Sequence, residues 1–122
     1  MRALVASPGP RAAEAIDLFV YRIRRELGSL VAVLGGLDVL VLTGGIGEHA
    51  VPIRARICQD AQWLGVRLNE EANRTGSPKI SAEDSPVSVW AIPTDEDLMI
   101  ARHTYDVIHL AETNNTHEQP KC

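Results

Sequence analysis

The stretch from Val39 to Pro52, VLVLTGGIGEHAVP, runs from four consecutive apolar residues into glycines and out through a proline. A continuous Val/Leu run reads as a strand buried on both faces, and such strands belong mostly to parallel sheets covered by helices. The glycines then sit at the strand's carboxyl end. Pro52 suits the first turn of a helix, where its missing N–H costs nothing, and Ile53, Ile57, Ala61 and Leu64 repeat at helical spacing. The predicted unit is a strand at about 38–43, a glycine-rich turn, and a helix at about 52–63. Such a turn lets a ligand approach the main chain, and the opening amides of the helix favour an anion such as a nucleotide phosphate. A tight strand-to-helix turn with no ligand is the competing reading.

The rest of the chain fits a helix-covered sheet. Pro8-Gly-Pro10 opens a long helix whose apolar positions, from Ala12 and Ile16 through Phe19, Val20, Ile23 and Leu27 to Leu34, keep three-or-four spacing until Gly35-Gly36 ends it. Its apolar stripe is broad enough to pack on the sheet and on something else besides. Val66-Arg-Leu68 reads as a short strand, 69–78 as a surface loop, Ile80 as the start of an extended piece, and 87–92 as a second clear strand. Pro93-Thr-Asp-Glu-Asp97 opens the last helix, with Thr94 as N-cap and acids in the first turn. Leu98, Ala101, Tyr105 and Ile108 form its predicted buried face. From Thr113 to Cys122 the chain lacks periodicity and reads as a disordered tail. The order of elements gives an α/β class, parallel strands with flanking helices.

With 122 residues, 45% of them hydrophobic, the chain can build one modest core, and only 4% aromatic residues leave that core to Ala, Val, Leu and Ile. A formal net charge of −4 without blocks of like charge argues against a nucleic-acid or anionic-membrane partner. Arg22, Arg24 and Arg25 read as the wet face of the long helix. Cys58 and Cys122 do not make a disulfide framework, and no signal peptide or membrane-spanning apolar run is present, so the expected location is cytoplasmic.

Both strong strands lead through a polar loop into a helix, so GGIGEH and PTDED are expected to face one crevice at the strands' carboxyl ends. Amides on one loop and carboxylates on the other suit a nucleotide phosphate with its magnesium ion. A Walker A loop is excluded, because no Lys-Ser/Thr pair follows the glycines. Gly45, Gly47 and Ala50 can be aligned as a dinucleotide fingerprint, with Glu70 or Glu71 as the ribose acid, but the strand at 66–68 is short for that fold. Glu96 and its acidic neighbours read locally as a helix cap before a metal site. His49 lies in the glycine turn, whereas His103, His109 and His117 lack ligand spacing. Trp63 and Trp90 read as packing residues, and Arg54 and Arg56 as exposed helical arginines that could reach a phosphate.

Three motifs in order, LDVLVLTGGIGEHAVPIRARI, WLGVRLN and VWAIPTDEDLMIARHT, together with the helix AIDLFVYRIRRELG, resemble the carboxyl-terminal part of the acetate and propionate kinase family. That family belongs to the actin, sugar-kinase and Hsp70 superfamily. The resemblance implies a partial actin-like (ribonuclease H-like) domain over 1–112. It implies phosphotransfer between ATP and acetate to give ADP and acetyl phosphate, with magnesium, in a homodimer. By position, Gly44, Gly45, Ile46, Gly47, Glu48 and His49 match the nucleotide loop, Arg2 matches the arginine beside the adenine, and Glu96 matches the glutamate associated with magnesium. His49 and Asp95 stand where the family usually has Asn, and Asp97 where it has Glu. The family's residues for the transferring phosphoryl group and the acetate fall upstream of Met1, so no catalytic residue is assigned here. The resemblance thus implies a catalytically incomplete chain with an exposed sheet edge, or else a non-catalytic dimerisation or regulatory module.

Overall fold

The computed structural model describes residues 1–115, with side chains as far as His109. A short helix α1 (Arg2–Ala6) precedes the long helix α2 (Pro10–Leu34), which ends at Gly35. Strand β1 (Val39–Leu42) leads into α3 (Gly44–His49) and α4 (Val51–Asp60). A single 3₁₀ turn (Gln62–Leu64), helix α5 (Glu70–Thr75), strand β2 (Ser88–Ala91) and helix α6 (Glu96–Asn115) complete the order. The strands pair in parallel, with Val39 opposite Ser88 and Leu42 opposite Ala91, so the segment between them is a helical crossover.

The core lies where the crossover covers one face of this sheet. Leu42, Val87 and Val89 meet Ile53, Ile57, Cys58 and Ala61 of the α4 segment, with Val66 and Ile80 closing the cluster and Phe19, Ile23 and Leu27 of α2 packed against it. Aliphatic residues carry this core, as the scarcity of aromatics requires. On its far side β2 is extended by the 78–80 segment, whose Ile80 N–H donates to Val89 O at 2.9 Å while Pro78 O accepts from the Ala91 N–H at 2.7 Å. Among the described residues β1 has no neighbour on its own outer side.

Several expectations change in the structure. The expected strand at 66–68 makes only isolated pairings, Val66 with Val87 and Leu68 with Ser81. The expected surface loop at 69–78 contains α5, because the Asn69 side chain accepts a hydrogen bond from the Ala72 N–H at 3.0 Å and caps a helical turn. The cap of α6 is Asp95 rather than Thr94: Asp95 Oδ1 accepts from the Leu98 N–H at 2.9 Å. The predicted buried face of α6 is exposed at Leu98, Ala101, Tyr105 and Ile108, since no described element covers it extensively. Trp63 is exposed too, whereas Trp90 is half-buried and donates from Nε1 to Ser88 Oγ. Helix α6 continues to Asn115, three residues into the stretch without sequence periodicity. The remainder of that stretch, 116–122, lies outside the described residues.

Cys58 faces the core beside Arg54, and burial pushes its thiol up to about 11 from an ordinary 9.0. The unfolded chain therefore ionises at this position first. The resulting contribution, about 2–3 kcal/mol, is complete below pH 9 and is lost as the pH rises toward about 11. Urea titrations of the protein and of Cys58→Ala across that interval should show the smaller pH slope in the variant, and parallel slopes would refute the assignment.

Candidate functional site

The strand end is shaped by two glycines with different reasons. Gly44 takes φ +71°, a conformation that turns the chain from β1 into α3 and that side chains rarely adopt. Gly47 sits so close to β1 that an added Cβ would lie 2.9 Å from the Leu42 carbonyl carbon. The glycine turn is thus itself a short helix seated on the strand, and α4 begins only after it. An added Cβ at Gly45 would meet nothing within 4 Å. That position is open because it borders empty space.

Three openings border α3: one lies against the core, where Phe19, Ile23, Ile53 and Ile57 face Gly44–Gly47, and two clefts flank the helix. On one side Met1, Arg2, Val5 and Ala6 of the α1 segment face Gly45, Ile46, His49 and Pro52 across a volume of about 230 Å³, largely apolar with Arg2 and His49 at its polar margin. On the other side Gly44, Gly45 and Glu48 face Thr94, Asp95, Glu96 and Asp97 across about 320 Å³. The sequence-predicted residues are therefore brought together as two sets that meet at Gly45. Arg2, Gly45, Ile46 and His49 surround the first cleft, and Gly44, Gly45, Glu48 and Glu96 surround the second.

The clefts share a wall held by named bonds. Glu48 Oε1 accepts from the Thr94 N–H at 3.0 Å and from Thr94 Oγ1 at 3.3 Å, tying α3 to the acidic loop. Thr43 Oγ1 donates to Ile92 O at 2.8 Å and joins the ends of the two strands. Asp95 spends one carboxylate oxygen on its cap, a bond that the side-chain carbonyl of an Asn could equally accept. The Glu96 carboxylate makes no hydrogen bond or ion pair among the described residues and faces the second cleft's solvent. No three metal-ligating side chains converge among those residues. Magnesium keeps several waters and takes one or two carboxylates plus phosphate oxygens, so this donor set fits an ion carried in by a nucleotide and does not fit a protein cage.

Arg54, expected to be exposed, is 1% exposed and organises the loop from beneath. Its Nη1 donates to the carbonyls of Gly47 (3.1 Å) and Glu48 (2.6 Å), its Nε to Asn73 Oδ1 (2.7 Å) and its Nη2 to Asn73 O (2.8 Å). Asn73, also buried, donates from Nδ2 to Val51 O at 3.2 Å. Burial lowers the Arg54 pKa, yet a guanidinium stays cationic and all its partners are neutral acceptors. The signal was present in the sequence. Arg54 lies at i−3, i−4 and i−7 from Ile57, Cys58 and Ala61, on the face those residues bury. Arg56, by contrast, lies outside the core and pairs with Asp17 of α2 at 2.6 Å.

A parallel strand pair with its crossover packed on one face, and a ligand-sized gap at the strands' carboxyl ends, places the chain in the α/β class as part of an actin-like fold. The sequence profile of the Acetokinase family matches residues 1–102, and the chain belongs to that family. Acetate kinase of Rhodopseudomonas palustris strain TIE-1 is 67% identical over 107 residues, which are 86% of this chain and 27% of that protein. Acetate kinase of Methylocella silvestris is 50% identical, over 85% of this chain and 26% of the relative. Among solved structures, a propionate kinase from Francisella tularensis superposes with a TM-score of 0.72 at 34% identity, over 82% of this chain and 26% of that one. Acetate kinase of Entamoeba histolytica gives 0.76 at 26% identity, over 86% and 30% respectively. The chain thus spans about a quarter of the length of the curated relatives it matches. Family membership also removes the dinucleotide-fingerprint reading, and Glu70 and Glu71 lie in the first turn of α5 rather than at a strand end.

Removing Arg54 leaves the Gly47, Glu48 and Asn73 carbonyls without their donor. Arg54→Met should lower unfolding stability by about 3 kcal/mol, with Arg54→Lys recovering only part because an ammonium cannot span the same acceptors. Urea midpoints at constant m-value measure this, and a loss under about 0.5 kcal/mol would contradict the strut.

Proposed function

We propose that the chain is the carboxyl-terminal, nucleotide-binding part of an acetate-kinase-type phosphotransferase, the reaction being ATP plus acetate to ADP plus acetyl phosphate. The observation that carries this is the position of Gly45, bordered by an apolar cleft with Arg2 on one side and an acidic cleft with Glu96 on the other. The first suits an adenosine: Val5, Ala6, Ile46 and Pro52 offer apolar surface to a base, with Arg2 and His49 at its edge. The second suits the phosphate end with its metal. Gly44 and Gly45 let phosphate oxygens approach the main chain, and Glu96 would hold the magnesium ion that the nucleotide brings. Bound there, the ion supplies charge neutralisation for phosphoryl transfer.

Transfer to a carboxylate also needs positive groups around the moving phosphoryl and an acceptor held in line. Neither cleft offers a cluster of arginines and histidines for that task. The family resemblance assigns it to residues upstream of Met1, and the chain alone is accordingly catalytically incomplete. The proposed setting is cytoplasmic and homodimeric. No described helix is long and apolar enough to cross a membrane, and the exposed Leu98, Met99, Ile100 and Tyr105 of α6 offer apolar surface for a subunit contact. The same surface favours a second reading, a dimerisation or regulatory module without catalysis. Size in solution with and without nucleotide separates the two, because a purely structural module ignores ATP.

The decisive test is calorimetric titration with ADP and magnesium. Gly45→Val adds atoms into open space, so it should fold normally and abolish binding. Glu96→Gln should weaken binding several-fold with magnesium present and leave magnesium-free ADP binding unchanged. Magnesium without nucleotide should give no saturable heat. Retained affinity in Gly45→Val, with unchanged circular dichroism, would remove the nucleotide from this loop.

A further inference from the structure

The acidic loop has few holds between the end of β2 and the start of α6. The Ile92 N–H donates to Leu42 O at 3.0 Å and Ile92 O accepts from Thr43 Oγ1 at 2.8 Å, so the chain leaves β2 fixed to the end of β1. Pro93 then has no N–H to give, and Asp95 caps a helix that no described element covers extensively. Among the described residues, two hydrogen bonds tie 93–97 to anything outside the loop and its own helix. Both run from Thr94 to Glu48 Oε1, from the N–H at 3.0 Å and from Oγ1 at 3.3 Å. Thr94 stands two positions before Glu96, the carboxylate proposed above to meet magnesium.

Glu48 is held firmly enough to serve as an anchor. Arg54 Nη1 donates to its carbonyl at 2.6 Å from the buried side, and its side chain is only 15% exposed. Its second oxygen, Oε2, lies 4.0 Å from His49 Nε2, at the margin of the apolar cleft. One carboxylate thus stands between the two clefts, with one oxygen committed to the acidic loop. Accepting both donors of Thr94 requires reach and an sp² oxygen, which the side-chain amide of glutamine also has, and does not require negative charge.

We infer that Glu48 is a positioning residue for Glu96: through Thr94 it fixes where that carboxylate meets the magnesium ion of a bound nucleotide, and so makes metal-assisted binding depend on the glycine loop. The inference rests on the nucleotide and magnesium reading of the two clefts. It departs from the resemblance by position, which puts Glu48 against the nucleotide itself. Groups that orient a metal ligand change affinity by about 10–100-fold without touching the ion.

The experiment takes two readouts on the whole chain: amide hydrogen exchange without ligand, and calorimetric ADP affinity with and without magnesium. Glu48→Ala should speed exchange at the Thr94 amide by about tenfold or more. It should also remove most of the magnesium enhancement of ADP affinity while leaving magnesium-free affinity within about twofold. Glu48→Gln keeps the acceptor and should retain both the protection and the enhancement. Glu48→Asp keeps the charge, lacks the reach, and should behave as the alanine variant does. If Glu48→Ala fails to fold, the comparison of Gln with Asp decides alone. Wild-type enhancement that persists undiminished in a folded Glu48→Ala or in Glu48→Asp would overturn the inference and leave the nucleotide site standing. Enhancement kept by Glu48→Asp and lost by Glu48→Gln would overturn it too, making the charge rather than the bond to Thr94 the active feature. A wild-type chain whose ADP affinity ignores magnesium would remove the metal reading above, and this inference with it.

Discussion

A single buried cation holds the candidate site in shape. Arg54 reaches α3 through the Gly47 and Glu48 carbonyls and α5 through Asn73, from a helix that belongs to the core. Burying a charge is costly unless its donors are used, and here neutral carbonyls and one amide oxygen take up four of the guanidinium's five N–H groups. The carbonyls concerned are those a short helix leaves unpaired at its end. One side chain therefore satisfies the loop's main chain and fixes its distance from the core, which is why so glycine-rich a segment has one conformation.

From that fixed point the two clefts inherit their geometry. Seated on β1 through Gly47 and tied to the acidic loop by Glu48 and Thr94, α3 stands between an apolar gap and a carboxylate-lined one. The bond from Glu48 turns an acid of the glycine motif into a structural acceptor, leaving Glu96 and Asp97 as the carboxylates of that cleft without a partner among the described residues. Preorganisation of this kind means that a ligand does not have to order the loop on arrival.

Much of this was legible in the sequence because local chemistry and the fold agree. The VLVL run, Pro52, the long amphipathic repeat and the strand at 87–92 each follow a strong periodic or stereochemical rule, and each element formed, although the VLVL strand is not buried on both faces: Val39 and Val41 stay exposed. What the sequence hid depended on contacts distant along the chain. Arg54 and Asn73 read as surface residues until their nineteen-residue separation closed into one hydrogen-bonded pair. Conversely, the apolar stripe of α6 promised burial that no described element supplies, because periodicity names a face without naming what covers it. The family resemblance reached Arg2, Gly45 and Glu96 by position, and only the fold set them around two adjoining spaces.

The unequal reasons for glycine at 44, 45 and 47 change how tolerance to mutation should be interpreted. At 44 the backbone angle and at 47 the strand beneath exclude a side chain whether or not anything binds. Intolerance there reports on folding alone. At 45 the protein leaves room, so a population of variants selected only for solubility should accept larger residues freely, while one selected for the intact enzyme's growth phenotype should keep glycine. If the proposed nucleotide site holds, the gap between those two spectra at one codon would be its imprint, readable without ever isolating the complex.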